Sequence, residues 1–220
     1  MSLLQERSHS ETTVLSWKIW VIHMAKLAVM RTQEKKETLR TARHLALEGE
    51  PAKAIKLLDS HLSRTDSKDV GLLMLKGNIL EMVSRFAQAA EVYRHVLRVD
   101  SNCTLALIDL GDLYKDSRKL EYRRKALQYF ERALSLVEAG RFHYDAEDEF
   151  VDACIGKADT LLALSRPMDA LKCVVNGLQQ YPTNLGLGEM LERAQKQYKT
   201  LRERKSRRRM RKGGKGPTVS

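Results

Sequence analysis

The pattern of apolar and small residues in this 220-residue chain recurs every 34 residues. The clearest copy spans 70–103, further copies span 104–140 and 151–184, and a weaker copy spans 35–68. Self-similarity at a fixed period of about 20 to 50 residues indicates a stack of one repeated unit, because a single unit cannot bury its own apolar face. The period therefore constrains the fold more strongly than any local motif does.

Each copy predicts two short helices joined by a turn. The apolar positions are separated by steps of three and four residues, so that they form one stripe along each helix. Unit positions 8 and 20 hold small residues, where a bulkier side chain would force the two helices apart. These facing small residues are Gly77 and Ala89, Gly111 and Ala126, and Ala158 and Ala170.

The four copies resemble the tetratricopeptide repeat over roughly residues 35–184. The resemblance is carried by the small residues at positions 8 and 20 and by apolar positions such as Leu73, Phe86 and Tyr93. It implies an all-α fold, namely an α-solenoid of about four helix pairs with a C-terminal capping helix. The third copy departs from the pattern, because it has three extra residues around 121–124 and is followed by about ten more before the fourth copy.

The sequence predicts four segments along the chain. A polar segment and an apolar helix occupy 1–34, the repeats 35–184, a capping helix 185–208, and a polybasic, partly disordered tail 196–220. Pro51 and Pro167 are expected to begin second helices, where a missing N–H costs little. Asp145 precedes three further acids within four residues and is expected to cap a lengthened helix.

The apolar stretch at 14–30 is interrupted by two lysines and a histidine. A membrane-spanning helix needs about 20 apolar residues with few charges, so these lysines argue against a span. The stretch also lacks the charge order and cleavage site of a secretory signal. Three interpretations stay open: an interfacial or docking helix, a helix that caps the stack, or an upstream extension before a true start at Met24 or Met30.

The resemblance implies that the first helices line a concave groove, with unit positions 2, 5, 9, 12 and 13 pointing into it. These positions mix apolar residues with aspartates, which favours a basic or amphipathic peptide or helix as partner. A merely solvated acidic face is the alternative. The candidate groove residues are Met74, Asn78, Met82, Ile108, Asp112, Asp116, Asp152, Ile155 and Asp159.

Positive charge is concentrated at the C-terminal end. Eleven basic residues and one acid follow from Lys196 onward, which accounts for +10 of the formal net charge of +11. Such a cluster attracts nucleic acid or anionic lipid, although a solubilising tail is an alternative. It could also dock in the acidic groove of a second copy and form a homo-oligomer. The candidate anion-binding residues are Arg202, Arg204, Lys205, Arg207, Arg208, Arg209, Arg211 and Lys212.

No catalytic or metal-binding constellation is recognisable in the sequence. Cys103, Cys154 and Cys173 have no metal-like spacing and are interpreted as small buried hydrophobic residues. Without a disulfide framework, a reducing, cytoplasmic location is favoured, with a peripheral position at a membrane left open. The sequence thus predicts a non-enzymatic adaptor or assembly scaffold without cofactor or metal. The alternative is a peripheral nucleic-acid- or anionic-membrane-binding protein that acts through its tail.

Overall fold

The computed structural model describes the backbone of residues 2–65 and 67–213, and the side chains of residue 21 and of residues 23–65 and 67–207. Within these ranges the chain forms helices and no strands, which confirms the all-α prediction. The helices are α1 (Ser2–Leu47), α2 (Pro51–Arg64), α3 (Val70–Met82), α4 (Phe86–Val99), α5 (Thr104–Lys115), α6 (Leu120–Glu138), α7 (Ala146–Ala163), α8 (Pro167–Gln180) and α9 (Leu185–Gly213). They belong to two compact units, Met1–Ser84 and Arg85–Ser220.

The first unit contains α1, α2 and α3. Helix α1 continues without a break through the boundary expected at residue 34, so that the N-terminal segment and the first helix of the first copy are one helix. It packs against α2 and α3, and a buried hydrogen bond joins Thr38 Oγ1 to His61 Nδ1 at 2.9 Å. Helix α2 begins at Pro51, as predicted. No helix in the described part of the chain is both long and apolar enough for a membrane span.

The second unit stacks six helices in two layers. Helices α5, α7 and α9 pack side by side and form the inner layer, while α4, α6 and α8 each pack against the next helix of that layer. The core between the layers includes Phe130 of α6, Cys154 of α7 and Val174 of α8. Because each first helix contacts the next, residues at equivalent unit positions of α5, α7 and α9 lie on one common surface.

The connection between α6 and α7 is held by carboxylates. Asp145 caps α7 as predicted, since its Oδ1 accepts hydrogen bonds from the backbone N–H groups of Glu147 (2.8 Å) and Asp148 (3.1 Å). Glu149 is almost fully buried and accepts from the backbone N–H groups of His143 (2.7 Å) and Tyr144 (2.6 Å). The same carboxylate accepts from the Thr104 hydroxyl, which ties the connection to the start of α5.

The bounds of two helices in the second unit differ from the prediction. The extra residues of the third copy do not lengthen a turn, because α6 already begins at Leu120. They extend that helix, where Tyr122 stacks on Tyr114 of α5 with 5.3 Å between ring centroids. At the C-terminus, α9 continues to Gly213, so that the basic run is carried on a helix well beyond the expected end near residue 208.

Candidate functional site

The inner surface of the second unit brings together aspartates from two repeats. Asp112 and Asp116 lie at the C-terminal end of α5, and Asp152 and Asp159 lie on α7, which packs directly against α5. The four residues occupy unit positions 2, 9 and 13 of consecutive copies, which the resemblance assigns to the groove. We call the surface formed by α5, α7 and α9 the inner groove.

A lysine lies among these acids. Lys115 Nζ donates to Asp112 Oδ1 at 2.6 Å, and its charge also interacts with Asp159 and Asp116. Burial alone would lower the pKa of Lys115, but the hydrogen bond and the three carboxylates raise it above the ordinary lysine value. The amine therefore stays protonated, and it neutralises part of the acidic charge of the groove.

Helix α9 supplies a second cation to the inner groove. Arg193 lies 2.5 Å from Asp159 Oδ1, and both side chains line a small cleft of about 230 Å³ together with Lys115 and Asp116. Arg193 was not among the predicted groove residues, because residues 185–208 were expected only to cap the stack. The signal was nevertheless present: when the 34-residue frame is extended by one unit from Leu185, Arg193 falls at position 9, which Asp159 occupies in the preceding copy.

The surroundings of Asp152 hinder its ionisation. Partial burial raises its pKa, and the nearby carboxylates of Asp112 and Asp148 raise it further, whereas Lys115 opposes the shift. A cation bound beside Asp152 would relieve this repulsion. The inner groove is thus less acidic than its four aspartates suggest, but it retains carboxylate charge that internal cations do not fully offset.

The apolar residues predicted for the groove divide between surface and core. Ile155 is partly buried against the second unit's core, and a Cβ atom at Gly186 of α9 would be 3.0 Å from its Cδ1. Ile108 is 5% exposed and packs in the core, so it supports the groove from below. On α3 of the first unit, Met74 is buried, whereas Asn78 and Met82 are exposed. Met74 thus contributes to a core rather than to an open surface.

The polybasic run begins beside a second cleft. Arg202, Arg204, Lys205 and Arg207 are exposed on α9. The remaining predicted anion-binding residues have side chains outside the described residues: Arg208, Arg209, Arg211 and Lys212. Arg202 and Lys205 line a cleft of about 640 Å³ between α9 and the turn before α8. The other residues that line this cleft include Arg166, Pro167, Met168, Tyr198 and Leu201. This cleft combines three cations with apolar walls.

Two cysteines that the sequence analysis treated separately are neighbours in the structure. Cys154 of α7 and Cys173 of α8 place their sulfur atoms 3.5 Å apart. They occupy unit positions 4 and 23 of the same copy, on its first and second helices, so the 34-residue frame already assigned them to one helix pair. Among the described residues, no group of three His, Cys, Asp or Glu side chains is arranged to hold a metal ion.

Comparison with known proteins identifies solved structures with a similar fold. No protein-family model and no curated protein sequence matches this chain. Among solved structures, PilF of Pseudomonas aeruginosa is similar at 14% identity and a TM-score of 0.62, over 85% of this chain and 79% of that one. A tetratricopeptide repeat protein of Parabacteroides merdae is similar at 17% identity and a TM-score of 0.59, over 76% of this chain and 62% of that protein. YrrB, described as a tetratricopeptide repeat protein with an unusual peptide-binding site, is similar at 22% identity and a TM-score of 0.55, over 76% and 78%.

Proposed function

We propose that this chain, which has the tetratricopeptide-repeat fold predicted from its sequence, is a non-enzymatic interaction adaptor or assembly scaffold. Its inner groove binds a basic, amphipathic peptide or helix of a protein partner. The observation that carries the proposal is the convergence of Asp112, Asp116 and Asp152 beside Ile155 on one surface of stacked helices. The description of YrrB as a peptide-binding protein of the same fold supports this role.

Charge and apolar surface have separate roles in this recognition. Carboxylates along the groove attract a basic segment and set its register, which mainly raises the association rate and the specificity. Desolvated apolar contacts at the centre of an interface supply most of the affinity, and Ile155 is placed for such a contact. Lys115 and Arg193 hold Asp112 and Asp159 in place until a ligand cation competes for them.

A peptide titration tests the groove. The probe is a synthetic peptide with the sequence of residues 201–212, and fluorescence anisotropy of the labelled peptide reports binding to a chain ending at Ser206. We expect Asp152→Asn to weaken binding by roughly tenfold, since a charge contact of this kind is worth about 1 to 2 kcal/mol. Glu121→Gln removes one carboxylate from α6 in the outer layer and serves as the matched control. Equal affinities for the two variants would overturn the assignment of the groove.

The same interaction can join two copies of this chain. The basic run of one molecule carries the charge that the inner groove of a second molecule would bind, a heterologous contact that builds rings or filaments. We expect the full chain to form oligomers at low salt and the chain ending at Ser206 to remain monomeric, as measured by light scattering across protein concentration. A full chain that is monomeric throughout would exclude self-docking and leave a foreign basic partner.

Binding of an anionic membrane surface or nucleic acid through α9 is the second candidate function. The observation that favours it is the cleft in which Arg166, Arg202 and Lys205 surround Met168 and Tyr198. Vesicles that contain anionic lipid, neutral vesicles and a single-stranded RNA distinguish the ligand classes. Binding should weaken by orders of magnitude between about 50 and 200 mM salt, because it rests on counterion release. Unchanged binding after Arg202→Gln with Lys205→Gln would contradict the role of this cleft.

A further inference from the structure

The thiol pair of the fourth copy lies between α7 and α8, which pack against each other. Besides the 3.5 Å separation of the two sulfur atoms, each thiol reaches the backbone of the other residue: Cys154 Sγ lies 3.5 Å from the carbonyl oxygen of Cys173, and Cys173 Sγ lies 3.8 Å from that of Cys154. Gly177, one turn further along α8, permits this approach, since a Cβ atom there would lie 3.1 Å from Cys154 Sγ.

The two thiols differ in access. Cys154 is 1% exposed, whereas Cys173 is partly exposed. Both border a cleft of about 380 Å³ whose lining includes Lys157, Lys172 and Arg166. The lining also includes Glu131, Glu138 and Asp169, so that acids and bases balance in the cleft, and a small reagent that enters it reaches the more exposed Cys173 first. Cys103, by contrast, is fully buried at the start of α5.

The surroundings of the two thiols shift their pKa values in opposite directions. The hydrogen bond between the two thiols lowers the pKa of Cys173 and burial opposes this shift. The charge of Lys157 adds to the lowering, whereas Glu131 and Glu138 oppose it. The same hydrogen bond, together with burial, raises the pKa of Cys154. Cys173, the more exposed thiol of the pair, is therefore the one placed to react, since the thiolate is the reactive form of cysteine.

We propose that Cys154 and Cys173 form a thiol–disulfide exchange site that takes a low-molecular-weight disulfide, such as oxidised glutathione, as its co-reactant. The Cys173 thiolate attacks one sulfur of that disulfide, which breaks the disulfide bond and releases one thiolate. Cys154 then loses its proton to solvent and attacks Cys173 Sγ, which releases the second thiolate. The chain loses two hydrogen atoms and gains one intrachain disulfide between α7 and α8, while the co-reactant is reduced to two thiols.

The closure requires little movement. A disulfide bond is about 2.05 Å long, so the sulfur atoms must approach each other by about 1.5 Å. The reaction leaves the inner groove accessible, because Cys154 faces α8 and the groove residues face away from it on α7. The site is thus independent of the function proposed above.

Mass spectrometry of the reduced, folded full chain treated with oxidised glutathione tests the site. We expect a loss of two hydrogen atoms and a peptide that links residues 154 and 173. Cys154→Ser should trap one glutathione on Cys173, and Cys173→Ser should react at least about tenfold more slowly, because the buried Cys154 and Cys103 thiols ionise poorly. Cys103→Ser is the matched control and should behave as the parent chain.

Three results would overturn the proposal. The first is a folded chain that gains no disulfide while the urea-unfolded chain reacts. The second is a link that includes Cys103, and the third is equal glutathione uptake by Cys154→Ser and Cys173→Ser. Circular dichroism melts of each variant before treatment establish that the chains compared are folded, and the serine substitutions preserve side-chain size.

Discussion

The phenyl ring of Phe130 lies so close to Gly111 that a Cβ atom at Gly111 would be 2.6 Å from the ring. We therefore expect Gly111→Ala to lower the free energy of unfolding by about 1 to 3 kcal/mol, because a fully buried ring cannot move away without disturbing the core. Urea unfolding followed by circular dichroism measures the change. Gly188→Ala is the control, since its added methyl group meets no atom within 4 Å and improves helix propensity. Equal effects of the two substitutions would contradict the packing described here.

Glu149→Ala is expected to destabilise the chain by about 2 to 4 kcal/mol. The substitution leaves the backbone N–H groups of His143 and Tyr144 without their carboxylate acceptor, and unsatisfied polar groups of this kind are costly. Thermal melts compare this variant with Glu147→Ala, which removes an exposed acid from the same turn of α7. A smaller loss for Glu149→Ala than for Glu147→Ala would show that the buried carboxylate does not hold the connection.

The pH dependence of the folding stability should reveal the ionisation of Asp152. Its pKa is raised in the folded chain, so its ionisation opposes folding, and this penalty appears as pH rises through the folded-state pKa. We expect Asp152→Asn to raise the melting temperature at pH 7, and the gain to disappear below about pH 3.9, the ordinary aspartate pKa. Glu121→Gln should show the opposite sign at pH 7, because the hydrogen bond from Lys125 lowers the pKa of Glu121. A gain for Asp152→Asn that persists in acid would contradict the assignment.

Arg193→Gln is expected to tighten the binding of a basic peptide by about three- to tenfold, because it leaves Asp159 available to the ligand. Fluorescence anisotropy with the peptide of residues 201–212 measures the change. Arg202→Gln removes the same charge from the same helix without contact to Asp159, and its effect should stay below about twofold. Weaker binding after Arg193→Gln would mean that Arg193 itself contacts the ligand.

Local signals in the sequence predicted where several of the helices begin. Pro51 and Pro167 begin their helices and Asp145 caps α7, because each of these effects depends on neighbouring residues alone. These features were accessible because the helical period and the capping preferences act within a few residues along the chain.

The remaining features depend on which helices become neighbours in the stack. Arg193 lies beside Asp159 only because α9 joins the inner layer, and Cys154 meets Cys173 only across the α7–α8 pair. The groove frame assigned Ile108 to the surface, but the next repeat covers it. Side-chain pairing of this kind follows from the three-dimensional stack, and a pattern along one strip of sequence does not specify it.

The ring of Phe130 packs against two adjacent repeats. Its ring belongs to the third copy and rests on Gly111 of that copy, but it lies closer still to Gly156 of the fourth. Opening either repeat exposes part of this ring, so Phe130 contributes to the coupling between these neighbours. In a linear array, strong coupling between adjacent repeats makes them unfold together. Residues 104–180 should therefore melt in a single cooperative transition rather than repeat by repeat.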